Sequence, residues 1–103
     1  MSYKLRYLPL AVNDIDKIAA YLSQFYPRTV GRVLGAIEKR IADLQQHPQM
    51  YAEYSEDDYY RCFPVSNYIV FYHINSEKET VEIHRILRGS WNLTEYLGDH
   101  ENK

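Results

Sequence analysis

The chain of 103 residues is predicted to be an α+β protein: an N-terminal strand, an antiparallel helix hairpin, then a three-stranded antiparallel meander whose sheet packs on the helices. Two observations support this fold class. The first half contains two runs of apolar residues at helical spacing, separated by Pro27. The second half, from Tyr59 onward, is rich in the β-branched and aromatic residues that fit a pleated, half-buried surface. This length suits one domain, which we assign to residues 1–98.

Residues 3–8 are predicted to form the first strand, because apolar and charged side chains alternate along them until Pro9. The apolar face of this strand consists of Tyr3, Leu5 and Tyr7. The first helix follows, and its apolar stripe is Ala11, Ile15, Ile18, Ala19, Leu22 and Phe25. Its outer face is expected to carry Asn13, Asp14, Asp16 and Lys17. The acids of the first turn would then interact with the positive end of the helix dipole.

The second helix is predicted to begin with Thr29 as its N-cap and to run for about twenty residues, until Pro48. The acidic stretch at 50–58 is expected to be a solvated surface loop. Turns near Ser66 and at 75–78 divide the remaining apolar run into three strands. After Gly89, residues 91–97 are expected to form one or two helical turns, and 99–103 a frayed tail.

Composition limits the classes of function. The single cysteine, Cys62, cannot form an internal disulfide, and the N-terminus lacks the apolar run of a signal peptide, which favours a cytoplasmic protein. We expect no membrane segment. With 12 Lys+Arg against 14 Asp+Glu, the chain as a whole is not a strong binder of free nucleic acid, and such a role would need a local patch.

Short motifs occur in order along the chain from residue 3 to about 97. In the first half they are Pro9, Ala11, Asp14, Ile15, Ile18, Tyr21 and Leu22 in the first helix, then Leu44 and Pro48 at the end of the second. In the second half they are Arg61, Phe63 and Val65, then Asn67, Tyr68, Phe71 and Tyr72, then Arg85, Ile86, Leu87 and Gly89. In this order and spacing the chain resembles the RelE/ParE superfamily of toxins from bacterial type II toxin–antitoxin modules.

The resemblance implies one of two activities, because ribosome-dependent nucleases and poisons of DNA gyrase share this fold. The RelE-like pattern places nuclease arginines where this chain has Ile69 and Trp91, and neither residue can make a charge-assisted contact with a phosphate. Many members have a histidine where this chain has Arg88, which is a poor base. These departures favour the ParE-like, plasmid-stabilisation branch, which inhibits gyrase by protein binding.

Two alternatives remain. The first is a ribosome-dependent endoribonuclease that uses Arg61, Arg85 and Arg88 as cations, with His84 or Tyr96 assisting proton transfer. The second is a non-toxic relative that only binds an antitoxin. In every case the resemblance implies a cognate antitoxin whose flexible segment wraps the toxin, at the sheet edges or in the groove beside the helices. The target is gyrase, or alternatively the ribosome, and we expect no cofactor.

The residues proposed to bind a target are Arg88, Trp91 and Arg61. Arg88 and Trp91 lie beyond the last regular strand residues, and tryptophan with arginine is typical of interface hot spots. The competing interpretation places Trp91 in the core. For Arg61 the competing interpretation is an internal pair with an acid. Arg85 alternates with Ile83 and Leu87, so it is expected on their face of the strand, in an internal ion pair or with a snorkelling stem.

Three further features have mainly structural interpretations. His73 and His84 are expected to face each other across a hairpin, but no third ligand occurs at metal spacing, so we expect no metal site. Cys62 is expected to be a buried thiol rather than a nucleophile. Tyr59 and Tyr60 are the tyrosines that remain candidates for stacking on bases.

Overall fold

A computed structural model describes residues 2–97, and the predicted tail at 99–103 lies outside the described residues. In chain order the structure has β1 (Lys4–Tyr7), α1 (Pro9–Phe25), α2 (Val30–Asp43), β2 (Arg61–Val65), β3 (Tyr68–Asn75), β4 (Thr80–Arg88) and α3 (Leu93–Leu97). A single 3-10 turn, Pro27–Thr29, connects α1 to α2. The α+β fold class and the element order agree with the prediction.

The four strands form one sheet in the order β1-β4-β3-β2. β2, β3 and β4 are consecutive antiparallel neighbours, as a meander requires. β1 pairs in parallel with β4, from Lys4 opposite Thr80 to Tyr7 opposite Ile83. Parallel neighbours need a long connection across one face of the sheet, and the two helices lie within the connection that follows β1. The N-terminal strand is therefore an edge of the sheet, and β2 is the other edge.

Apolar groups cover both faces of the sheet. Residues of α1 and α2 pack on one face with a large buried cluster that includes Ile18, Ile37, Val70, Tyr72 and Ile83. A smaller cluster on the other face consists of Tyr60, Phe71, Leu87 and Leu97, with Tyr54 and Leu93 beside it. Because both faces are buried, Val70, Phe71 and Tyr72 are buried in succession and β3 lacks a clean alternation.

Several expectations for the helices are wrong. α1 begins at Pro9, because proline suits the first helical position, where a missing N–H costs nothing. Asp14 and Asp16 therefore lie beyond the first turn, which contains no acid. Phe25, expected in the apolar stripe, is 55% exposed at the end of α1. α2 has 14 residues rather than about twenty. Thr29 occupies the N-cap position of α2 as predicted, but its side chain makes no capping hydrogen bond because its hydroxyl donates to the Tyr26 carbonyl of the preceding turn.

The 50–58 loop is not simply solvated. The Tyr51 ring stacks on Phe63 with centroids 4.2 Å apart, and the Tyr54 ring meets Phe71 edge-on at 5.1 Å. The backbone of Glu53 also forms a bridge with Arg61. The acidic composition predicted that the whole loop would be exposed. The two tyrosines instead pack their rings against the sheet, which holds the loop close to it.

An irregularity in β4 changes the direction of its side chains. Tyr72 lies opposite Ile83 while Phe71 lies opposite Arg85, so His84 is an extra residue on β4, a β-bulge. As a result Ile83 packs on the helix side of the sheet and Leu87 on the opposite side. The expectation that Arg85 shares one face with both residues is therefore wrong.

Within residues 2–97 no strand borders the outer edge of β4 beyond Tyr7, and Asp14 of α1 lies there instead. Its buried carboxylate accepts a hydrogen bond from the backbone N–H of Ile86 at 2.9 Å. It also accepts two from the Arg85 guanidinium, at 2.8 Å from Nε and 2.9 Å from Nη2. The internal ion pair predicted for Arg85 is thus confirmed, but the outward position predicted for Asp14 is wrong because this pair holds it inside.

We expect Asp14→Asn to destabilise the fold strongly, because it leaves the Arg85 guanidinium without its counter-charge in a partly buried site. Breaking such a pair costs about 3–5 kcal/mol. The measurement is urea unfolding of the variant and the parent. Asp16→Asn on the exposed face of the same helix is the matched control and should change stability by less than about 0.5 kcal/mol. Equal unfolding midpoints for Asp14→Asn and the control would contradict this role.

Candidate functional site

The arginine of β4 is fully engaged inside the fold. Besides its two bonds to Asp14, Arg85 donates from Nη1 to the backbone carbonyl of Tyr96 at 2.8 Å. Its Cζ also lies 5.9 Å from the centroid of the Tyr96 ring. The hydrogen bonds to Asp14 raise the pKa of Arg85 above its ordinary value, so its charge is permanent and already neutralised. Its geometry is that of a structural link between α1, β4 and α3.

Arg61 lies at a different place on the molecule. Its Nη1 donates to the backbone carbonyl of Tyr51 at 2.6 Å, so the structure gives it a carbonyl partner where we expected an acid. It lines a shallow depression together with Glu53, Asp58, Tyr59 and His73. That depression shares no lining residue with the groove around Arg88 described below. The arginines predicted to act together are therefore not brought together.

The two histidines of the sheet, His73 and His84, lie on the side opposite the helices. His73 and His84 face each other with ring centroids 6.3 Å apart, as expected. The Tyr59 ring stacks on His73 at 3.8 Å, and the Tyr59 carbonyl lies 2.9 Å from His73 Nδ1. His84 is buried, with Nε2 3.6 Å from a Glu82 carboxylate oxygen. Within residues 2–97 no group of three potential ligands is close enough to hold a metal ion.

Three other candidate residues are less accessible than their proposed roles require. Tyr60 is fully buried and cannot stack on a base, while one face of the Tyr59 ring is covered by His73. Cys62 is half-buried, and burial raises the pKa of its thiol, which lowers the thiolate fraction that a nucleophile needs.

Arg88 and Trp91, by contrast, lie at the surface. The Arg88 guanidinium is 5.4 Å from the centroid of the Tyr21 ring, a cation–π contact between β4 and α1. Trp91 is 43% exposed and stacks on Tyr96 with centroids 4.9 Å apart. The alternative that places Trp91 in the core is therefore wrong. Both residues keep side-chain surface available for a partner.

These two residues border a groove between α1 and the end of β4, called here the α1–β4 groove. Its volume is about 520 Å³. Its lining residues are Asp14, Lys17, Ile18, Tyr21, Tyr68, Ile86, Arg88, Ser90 and Trp91. Arg88 also borders two neighbouring depressions, one beside the β2–β3 turn and one that contains Arg32 and Tyr26. A concave, mainly apolar site with a few charged groups is the usual form of a binding site.

Sequence inspection missed the contribution of α1 to this groove. Lys17 and Tyr21 are four residues apart and therefore lie on one side of the helix. That spacing was visible, but it did not reveal which side of α1 meets the end of β4. The signal available for this contribution was a tyrosine one turn after a lysine, both outside the apolar stripe of the helix.

The fold, an N-terminal strand, two helices and an antiparallel meander, is of the RelE/ParE type. The family described as "ParE toxin of type II toxin-antitoxin system, parDE" matches residues 5–93. The chain therefore belongs to the ParE toxin family. No curated relative matches it significantly in sequence.

Solved structures share the fold at low sequence identity. The chromosomal ParDE system of P. aeruginosa matches with a TM-score of 0.73 and 20% identity, over 84% of this chain and 96% of that one. A mutant of the E. coli toxin RelE in the free state gives 0.71 and 14%, over 94% of each chain. The RelBE2 complex of Mycobacterium tuberculosis gives 0.61 and 22%, over 85% and 99%. Among the described residues no helix is both long and apolar enough to cross a bilayer.

The buried tyrosines predict a loss of stability at alkaline pH. Burial raises the pKa of Tyr60 and of Tyr72 from 10.0 to about 12. The folded state thus holds these phenol protons more tightly, so this contribution is intact below pH 10 and is lost as pH rises to about 12. Denaturant unfolding across this range should show the fall, and Tyr60→Phe or Tyr72→Phe should each make it less steep. A pH-independent stability would contradict the assignment.

Proposed function

We propose that this toxin arrests growth by binding DNA gyrase through protein contacts, that it carries no catalysis of its own, and that a cognate antitoxin neutralises it. The toxin class follows from the family, whereas the choice of protein binding over catalysis rests on the arrangement of the site. The ParE-like branch of the superfamily, which the sequence resembles, supplies gyrase as the target.

One observation carries the proposal: the arginines and the histidine that a nuclease would need lie apart from one another and are buried or already paired within the fold. Arg85 is paired with Asp14, His84 is buried, and Arg61 lines a separate depression. Phosphodiester cleavage requires cations directed at the charge that develops on the phosphate and a positioned proton-transfer group. An arginine that already satisfies a buried carboxylate supplies neither of these without breaking the fold.

The surface that remains has the composition of a protein interface. Arg88, Trp91, Tyr21 and Tyr96 present rings and a guanidinium at one end of the sheet. Tryptophan, tyrosine and arginine are enriched among the few residues that dominate the binding energy of interfaces. This supports binding rather than catalysis as the mode of action.

The antitoxin is proposed to dock on the helix side of the molecule rather than along β2. Pro64 of β2 has no N–H to donate, and residues 52–54 already bond to the backbone of residues 60–62. An added strand would find few open groups there. The description of the P. aeruginosa relative as a ParDE toxin–antitoxin system, and of the M. tuberculosis relative as a toxin–antitoxin complex, supports the expectation of such a partner.

Purified toxin should inhibit supercoiling by gyrase or cause cleaved plasmid to accumulate when gyrase is present. Both effects follow if protein contacts hold the enzyme in one state. The measurement is a plasmid supercoiling assay with increasing toxin, and addition of the antitoxin should restore activity. Unaffected gyrase at saturating toxin would reject the proposal. Message cleaved at ribosomal A-site codons in primer extension would instead support the ribosome-dependent nuclease.

We expect Arg88→Ala and Trp91→Ala each to abolish growth inhibition while the protein remains folded. Trp91 is 43% exposed, so its truncation should cost well below the 3–5 kcal/mol typical of a core tryptophan. Growth assays with thermal melts monitored by circular dichroism provide both readouts. Arg28→Ala, an exposed residue of the 3-10 turn outside the α1–β4 groove, is the control. A Trp91→Ala protein that melts far below the parent would show that lost folding explains the lost toxicity.

A further inference from the structure

Although the net charge of the chain is only −2, acidic and basic residues are concentrated at opposite ends of the sheet. Arg61, the first residue of β2, pairs with Tyr72 near the end of β3, so the loop before β2 and the β3–β4 turn lie at the same end of the sheet. That end carries the acids Glu53, Glu56, Asp57, Asp58, Glu77, Glu79 and Glu82, which outnumber its cations Lys4, Arg61 and Lys78. The other end, where β4 finishes, carries Lys17, Arg32 and Arg88 around the groove and its neighbouring depression.

The α1–β4 groove lies at the positive end and combines apolar walls with cations. Ile18, Ile86 and Trp91 line it, and Lys17 and Arg88 border it. Among residues 2–97 the only carboxylate in its lining is Asp14, which is already bonded to Arg85 and to the Ile86 backbone. The two cations are therefore not paired with an acid of the groove itself, so their charges remain available to a negatively charged partner.

We infer that the α1–β4 groove receives an acidic, amphipathic segment of the target protein. An apolar side chain of that segment enters between Ile18, Ile86 and Trp91, and its carboxylates pair with Lys17 and Arg88. This inference rests on the proposed function, since it specifies the chemistry of the target segment at the same site. Charge complementarity around an apolar centre is the arrangement that gives interfaces their specificity.

A protein segment fits these features better than a nucleic acid does. Affinity for a phosphate backbone comes from neutralising many phosphates, whereas the groove and the adjoining depression offer only the cations Lys17, Arg32 and Arg88 among their lining residues. The walls of the groove are aliphatic as well as aromatic, which suits a Leu- or Phe-like side chain more than the polar edges of a base.

Zero-length crosslinking provides the direct test. A carbodiimide joins a lysine amine to a carboxylate only when the two are in contact, so Lys17 should crosslink to an Asp or Glu of gyrase in the toxin–gyrase complex. Peptide mass spectrometry identifies the partner segment, which should be acidic with at least one large apolar residue. Lys17→Arg keeps the charge but removes the amine, so this crosslink should disappear.

Charge reversal provides the second readout. Lys17→Glu should raise the toxin concentration needed for half-maximal gyrase inhibition by about tenfold or more, because it places like charges together. Lys39→Glu changes the net charge equally at an exposed position of α2 outside the groove, and should shift it by less than about twofold. Circular dichroism melts of both variants check that they are folded.

The outcomes separate the two proposals. If the parent toxin inhibits gyrase but Lys17 forms no crosslink and Lys17→Glu behaves like Lys39→Glu, the groove inference is wrong and gyrase inhibition stands. The inference is also overturned if the toxin binds gyrase only when DNA is present and Lys17→Glu abolishes binding of the toxin to a DNA oligonucleotide alone. A parent toxin that neither binds nor inhibits gyrase would overturn the proposed function and this inference with it.

Discussion

The carboxylate of Asp14 determines how the two halves of the molecule fit together. β1 ends at Tyr7, yet β4 continues to Arg88, so the last part of β4 would have an unpaired edge. Asp14 satisfies the Ile86 N–H on that edge and balances the Arg85 charge with the same side chain. Because a carboxylate with three donors has little freedom to move, α1 is fixed against β4 at this point. The residues one and two turns later on α1 then meet the end of β4, which is how the groove arises.

Tyrosines perform a related task on both faces of the sheet. The Tyr72 hydroxyl donates to the carbonyl of Pro48 at 2.8 Å, and the Tyr60 hydroxyl to that of Leu97 at 3.4 Å. Each ring is buried in a cluster while its hydroxyl donates to a backbone carbonyl outside the sheet. The high tyrosine content of the chain, 11 in 103 residues, is thus largely structural. It attaches the segment before β2 and the C-terminal helix to the sheet.

Local patterns in the sequence were sufficient to predict the elements and their order, because amphipathic period and turn residues act over short distances. They failed where distant residues decide. Asp14 and Arg85 are 71 positions apart, and no periodicity indicated that an acid on a helix would turn inward to meet a guanidinium. The bulge at His84 likewise depends on pairing with β3. Trp91 was predicted correctly as exposed because it follows a strand end, whereas Arg88 is the last residue of β4 and is only partly exposed. The α1 side of their groove depended on the tertiary contact itself.

The separation of charge between the two ends of the sheet also affects how the protein approaches other molecules. A body with a positive end and a negative end experiences a torque in the field of a charged surface, so it rotates before any contact forms. Over distances shorter than the Debye length, about 8 Å at physiological ionic strength, this preorientation increases the fraction of encounters that are productive. Association with an acidic surface would therefore be fast although the whole chain carries a net charge of the wrong sign for attraction. The net charge alone would give the opposite expectation.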